Sequence, residues 1–373
     1  MGFRDKRHDA ATAPSQPRMP GPSRLLRWVQ GEPDPWHHAR MPFRPDALKY
    51  LTPNWFAVVM SLCGLALAWN RAAPLLGDMA DGGALVLAGM AALAFVALTV
   101  LSLLRWQRFA GAVTADLRHP VRHAFFACIP VSIILLATCG VALLGPSGWL
   151  AVLWWIGSLA QFGVTLWVLA RWLSADKARQ PGWNALTPAL IVPVVGNVLA
   201  PLAGEALGAG HWAAAQFGIG LLLWLVLLAL LIARIAIHGP WPERLLPATF
   251  ITVAPPAVIG SSALQSGAPP VLAWMCWGMA LFFLLWSLQI GRRMLAQPFS
   301  VAFWSLGFPL AALASLSLRL AAQSPSAQTP AMIALALASL VVALLLIATW
   351  KGLRDGSLLQ PEPVAIIAEA ARA

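Results

Sequence analysis

"WSLGFPLAAL" (Trp304–Leu313) sets a proline and a bulky aromatic ring inside an apolar run, 301–322, long enough to cross a membrane. Proline inside an α-helix costs about 3 kcal/mol and leaves a carbonyl without its donor. Freed backbone groups at membrane depth are tolerated where they are buried in protein or line a wet cavity. A helix with this sequence is therefore expected to avoid lipid. Whether it stands alone or belongs to a pattern decides the fold.

The chain around it is 373 residues long, 59% hydrophobic and 10% charged, with a mean hydropathy of +0.73. Soluble domains carry about 25% charged residues, so this is an integral membrane protein. Windows of about 20 apolar residues predict ten spans: 53–70, 84–104, 123–144, 149–171, 187–207, 212–235, 246–265, 271–291, 301–322 and 330–350. With the N-terminus inside, 23 of the 25 Lys and Arg residues fall on the inner side, leaving Arg71 and Arg319 outside. The positive-inside rule selects this orientation. It also accounts for the isoelectric point near 10.9 without a nucleic-acid partner: the basic side faces anionic lipid.

The break in span nine is part of a pattern. Pro130 lies in span three, Pro193 and Pro201 in span five, Pro255 and Pro256 in span seven, and Pro309 in span nine. The even spans have no interior proline, and span one has only Pro53 at its entry. Small polar residues, among them Ser61, Ser132, Thr138, Asn197, Ser261 and Ser315, also gather in the odd spans. The even spans read as continuous apolar runs such as "LLLWLVLLALLIA" (Leu221–Ala233). The predicted fold is an all-α membrane protein of ten helices in five hairpins, with an inner ring of odd helices around a central pore and an outer ring of even helices. Three regions are expected: a basic, largely disordered cytoplasmic tail at 1–52, with "SRLLRWVQ" (Ser23–Gln30) as an interfacial helix or a basic anchor; the membrane domain at 53–350; and a cytoplasmic tail at 351–373, with a short amphipathic helix or frayed end in "PVAIIAEAARA" (Pro363–Ala373).

The chemistry of the spans narrows the function. All 14 carboxylates fall in tails and loops, whereas intramembrane carboxylates mark many cation paths and proton relays. A neutral pore with hydroxyls, an amide and a positive mouth suits anions. The four cysteines (Cys63, Cys128, Cys139 and Cys276) form no CxxC pair and read as small buried hydrophobes. No metal-ligand cluster, cofactor motif or nucleophile–base pair points to an enzyme. A membrane enzyme is therefore the remote alternative.

Five stretches carry a family resemblance: "PNWFAVVMSLCGLALAW" (53–69), "HPVRHAFFACIPVSIILLA" (119–137), "LTPALIVPVVGNVLAPLAG" (186–204), "ATFITVAPPAVIGSSAL" (248–264) and "AFWSLGFPLAALASLSL" (302–318). Together they resemble the tellurite-resistance/dicarboxylate transporter family, which also includes plant slow anion channels. The resemblance covers about 53–350 and implies ten helices in two rings, frequent trimers, and a bacterial-type inner membrane with both termini cytoplasmic. It also implies a phenylalanine on helix nine that occludes the pore; that position falls on Phe308. One departure is in span one, where Val58 and Val59 stand where some members have a proline.

On this reading the pore gate is Phe308, beside Pro309. The other reading of the ring is a core aromatic between helices. Pro130, Pro193, Asn197, Pro255, Pro256, Pro309 and Ser315 are expected to line the pore or kink its helices. Asn197 is expected to face the conduit or to make an interhelical hydrogen bond. Phe308, Ala312, Ser315 and Arg319 fall on one helical stripe, so Arg319 is expected over the plug at the outer mouth, attracting anions or snorkelling to headgroups. The expected function is passive or uniporter-like transport of small inorganic or organic anions. The alternative is coupled export of a four-carbon dicarboxylate or sulfite.

Overall fold

The computed structural model describes residues 46–174 and 182–360, so the readings for 23–30 and 363–373 lie outside the described residues. All regular structure among the described residues is helical. The principal helices are α1 (Ala57–Arg71), α2 (Asp78–Arg108), α3 (Cys128–Leu144), α4 (Gly148–Ala170), α5 (Pro188–Gly204), α6 (Gly210–His238), α7 (Ala254–Gln265), α8 (Pro270–Leu288), α9 (Gly307–Ala321) and α10 (Gln328–Arg354). Among the described residues, eight stretches are long and apolar enough to cross a membrane. The segments answering to predicted spans one and five, α1 and α5, are shorter.

Four of the five odd helices are two helices in series. Tight 3-10 segments at Pro53–Phe56, Arg122–Ala127, Glu243–Val253 and Val301–Leu306 lead into α1, α3, α7 and α9. Helix α5 alternates between the two forms, with 3-10 turns at Pro188–Leu190 and Gly196–Leu199. This corrects the expectation of kinks inside α-helices. Pro130, Pro256 and Pro309 are the third residues of α3, α7 and α9, and Pro255 is the second of α7. Pro193 is likewise third in the α-helical piece Ile191–Val195. First-turn amides have no α-helical acceptor, so proline costs little there. The prolines mark where a 3-10 lead becomes an α-helix. A 3-10 lead rises about 2.0 Å per residue against 1.5 Å for α, so a short inner segment gains depth.

Hydroxyls on one inner helix satisfy carbonyls at the breaks of the next. Ser132 Oγ donates to Phe56 O at 3.3 Å and to Cys128 O at 2.7 Å. Ser61 Oγ donates to Ala57 O at 2.7 Å and reaches Trp304 O at 3.5 Å, and Ser262 Oγ donates to Val198 O at 2.6 Å. This accounts for Ser61, Ser132 and Ser262, whose hydroxyls supply donors that a neighbouring broken ladder lacks.

The odd helices close into a ring. Helix α1 packs on α3 and α9, α3 on α5, α5 on α7, and α7 on α9. The even helices lie outside, with α2 against α1 and α3, α4 against α3 and α5, α8 against α7 and α9, α10 against α9 and α1, and α6 on α5. Burial follows this division. The apolar windows of the outer stretches are 17% to 33% buried, whereas those of Arg122–Leu144, Glu243–Gln265 and Val301–Ala321 are 56%, 94% and 67% buried. Rows such as Ile333, Leu337, Leu340, Leu344 and Ile347 on α10 remain exposed and present an apolar surface suited to lipid. At the end of the bundle where the inner segments begin, buried Asp116 bridges Arg105 at 2.6 Å and Arg122 at 2.8 Å. Arg105 Nε also donates to Lys49 O at 3.0 Å, which ties α2 and the α2–α3 connection to the segment before α1.

Candidate functional site: an axial cavity inside the inner ring

One cavity is lined by all five inner helices and by no outer one. Helix α1 contributes Gly64, Leu67 and Arg71; α3 contributes Leu135 and Thr138; α5 contributes Leu199 and Leu202; α7 contributes Val258 and Ser261. Helix α9 contributes Phe308, Ala312, Ser315 and Arg319, the four residues of the predicted stripe. Their spacing of three and four brings them to one face, and eleven residues of α-helix rise about 16 Å. The cavity therefore runs along the inner helices toward their C-terminal ends, with Phe308 at one end and Arg71 and Arg319 at the other.

The Phe308 end is tight. The ring is 8% exposed and lies against Gly64, where a Cβ would meet Phe308 Cδ2 at 3.0 Å and Ala311 Cβ at 3.2 Å. Only glycine on α1 lets the ring lie this close to the helix. One turn below, Gly307 and Ser61 bring α9 and α1 together: a Cβ at 307 would stand 2.5 Å from Ser61 Oγ. The walls above the ring are mostly aliphatic, with hydroxyls from Thr138, Ser261 and Ser315 and no carboxylate. About 30 Å³ is open to the centre of a water molecule, room for about two waters at the ~10–15 Å³ each requires.

Asn197 is elsewhere, and this corrects its pore-lining reading. Its Nδ2 donates to Thr165 Oγ1 at 2.8 Å and lies 3.1 Å from Pro193 O; its Oδ1 accepts from Gln216 Nε2 at 3.0 Å. Gln161 Nε2 and Thr165 Oγ1 donate to the same Pro193 carbonyl at 2.7 and 2.5 Å. The amide thus turns outward to α4 and α6, because the interrupted ladder of α5 needs donors and both outer helices supply side chains to the network. The five predicted prolines do not line the cavity either; they set where its α-helical walls begin.

Sequence reasoning missed Gly64, Arg71, Gln161 and Gln216. Gly64, Leu67 and Arg71 follow at i, i+3 and i+7, the same periodicity that singled out the α9 stripe. Gln161 and Gln216 interrupt otherwise apolar even spans, a visible sign of a partner on a neighbouring helix. His119 and His123 are used locally: His119 Nδ1 accepts from the Val121 and Arg122 amides, and His123 packs edge-on to Trp167 at 5.9 Å. No group of three metal-ligating side chains occurs among the described residues.

A family model described as voltage-dependent anion channel matches residues 50–351, the whole two-ring bundle. The chain belongs to this family. An uncharacterized transporter of Methanocaldococcus jannaschii is 27% identical over 302 residues, 73% of this chain and 84% of that protein. The S-type anion channel SLAH2 of Arabidopsis thaliana is 28% identical over 228 residues, 61% of this chain and 43% of the plant protein. A tellurite resistance protein TehA homolog of Haemophilus influenzae is 25% identical over 279 residues, covering 71% and 80% of the two chains. Members of this family are anion channels or transporters and not enzymes, and the present chain is a multi-pass membrane protein of that class.

Proposed function

We propose that small anions cross the membrane passively along the axis of the inner ring, and that the Phe308 ring closes this path. The observation that carries the reading is a cavity lined only by the five inner helices, bearing two arginines and no carboxylate, with the Phe308 ring at its far end. An apolar constriction bars ions by excluding the water that would hydrate them. The ring sits where α9 begins, directly before Pro309. Opening then requires only that the side chain leave the axis, with no change in the helix. The absence of a carboxylate along the cavity favours passive movement over proton- or cation-coupled export.

On this reading the N-terminal halves of the inner helices face the cytoplasm, with both termini inside a bacterial-type inner membrane. The distribution of Lys and Arg supports that orientation. The exposed apolar outer ring leaves surface for lipid and for assembly, for which the family resemblance supports a homotrimer. The domain limits are read as 53–350 for transport and 1–52 and 351–373 for tails.

The test is Phe308→Ala in purified protein reconstituted into planar bilayers. Anion current is expected to rise at least tenfold over the parent, with reversal potentials following the anion gradient. A well-folded variant with unchanged current would make the ring a packing residue. Saturating exchange without net current would instead favour the coupled exporter.

A further inference from the structure

The mouth of the cavity holds more charge than steering needs. Arg71 closes α1 and Arg319 lies in the last turn of α9; both line the cavity and are near enough to repel each other. Among the described residues neither has a carboxylate within ion-pair distance. Arg319 Nη2 donates to Gln265 Oε1 at 3.1 Å, which fixes the fork, while its Nε is buried with no partner. Arg71 makes no side-chain hydrogen bond to the described residues. Ser261 and Ser315, on α7 and α9, also line the cavity without a hydrogen-bond partner among the described residues. The remaining wall is largely Leu67, Leu135, Leu199, Leu202 and Val258.

Two like charges against an aliphatic wall are unfavourable without a counter-charge. Every buried donor needs an acceptor, and among the described residues only Gln265 supplies one. A mobile anion supplies both. Guanidinium forks match ligands that present two oxygens, with paired charge-assisted bonds; a halide offers a single centre. The free space, about 30 Å³ to water centres, suits an ion of a few heavy atoms.

We propose that Arg71 and Arg319, with the hydroxyls of Ser261 and Ser315, form a binding site for one small oxyanion. Entry to the pathway is then saturable and favours oxyanions over halides of equal charge. This deepens the transport reading and rests on it for its role, but binding itself needs no open path, so the two fail separately.

The experiment uses the full chain in detergent, with formate as the probe and chloride for comparison. Ionic strength is held constant with gluconate. The thermal unfolding midpoint is expected to rise with formate and then saturate, as binding to the folded state alone requires, with chloride at least fivefold weaker. Arg71→Gln and Arg319→Gln should each weaken apparent formate affinity at least tenfold. Exposed Arg292, outside the cavity, should tolerate Arg292→Gln without effect. Arg71→Lys and Arg319→Lys keep the charge and lose the fork, so they should fall between parent and Gln; they also decide the matter if a Gln variant fails to fold. Parent-like formate dependence in the substituted proteins would overturn the site. In Phe308→Ala vesicles, flux should half-saturate at the formate concentration that half-saturates the midpoint. Current without saturable binding would remove the site and leave the pathway, whereas saturable binding without current would remove the pathway and leave the site.

Discussion

Gly64→Ala is the sharpest test of how the Phe308 ring is held. The added Cβ would stand 3.0 Å from Phe308 Cδ2, 3.4 Å from Cε2 and 3.2 Å from Ala311 Cβ. Carbon atoms prefer about 3.5–4.0 Å, so the ring must move by several tenths of an ångström. Overpacking of this kind costs about 1–3 kcal/mol. Two of the three contacts are to the ring, so most of that cost should vanish when the ring is gone. A double-mutant cycle isolates the term. Gly64→Ala alone is expected to destabilise by about 2 kcal/mol and, in the Phe308→Ala background, by about 0.5–1, where the Ala311 contact remains. The coupling is then about 1–1.5 kcal/mol.

The assay is unfolding in mixed detergent micelles, read by tryptophan fluorescence, with bilayer current measured on the same preparations. Added to Phe308→Ala, Gly64→Ala inserts one methyl into the wall, so the enlarged current should fall by less than about half. Additivity within 0.5 kcal/mol, the usual scatter for independent sites, would show that the ring does not rest on α1. The account of the closed state would then fail even if Phe308→Ala conducts.

Two further outcomes are expected. Asn197→Leu should cost about 1–2 kcal/mol, since intramembrane side-chain hydrogen bonds average roughly 0.6 kcal/mol each and several are lost around Pro193 O; anion selectivity in a Phe308→Ala background should not change, and a shift in relative permeabilities would return Asn197 to the pore. Asp116→Asn should be among the costlier single changes, about 3–5 kcal/mol, because it leaves buried Arg105 without its counter-charge; protease sensitivity of the α2–α3 connection should rise with it, and parent-like stability would mean that Arg105 finds another partner.

The two-ring architecture was legible because membrane solvent separates residue types strictly. Lipid-facing helices have no use for broken ladders, so interior proline sorts into the odd segments, and the structure closes those segments into a ring. The stripe of Phe308, Ala312, Ser315 and Arg319 was legible for the same reason: α-helical period is fixed, and α9 is regular α from Gly307 onward. The number of spans that cross by length alone was not. Residue counting assumes an α rise, and the leads of α1 and the pieces of α5 depart from it.

What a single sequence does not carry is direction across helices. Counting at α period puts Asn197 on the face of Pro193 and Pro201, but the 3-10 turn Gly196–Leu199 changes the angle per residue within that count. The amide rotates away from the axis and meets Gln216 and Thr165. Arg71, legible as an outer-side residue, was not legible as part of the cavity for the opposite reason: its own helix is regular, but its place there depends on α9, some 240 residues later in the chain. Only the closed ring sets the two arginines at one mouth. The same closure explains Gly64, whose missing side chain has meaning only through the ring of Phe308. The proposed gate and anion site therefore rest on pairings between α1 and α9, the first and last members of the inner ring. A sequence read span by span separates these two helices most widely, whereas the fold makes them neighbours, so substitutions on α1 should alter closure as strongly as those on α9.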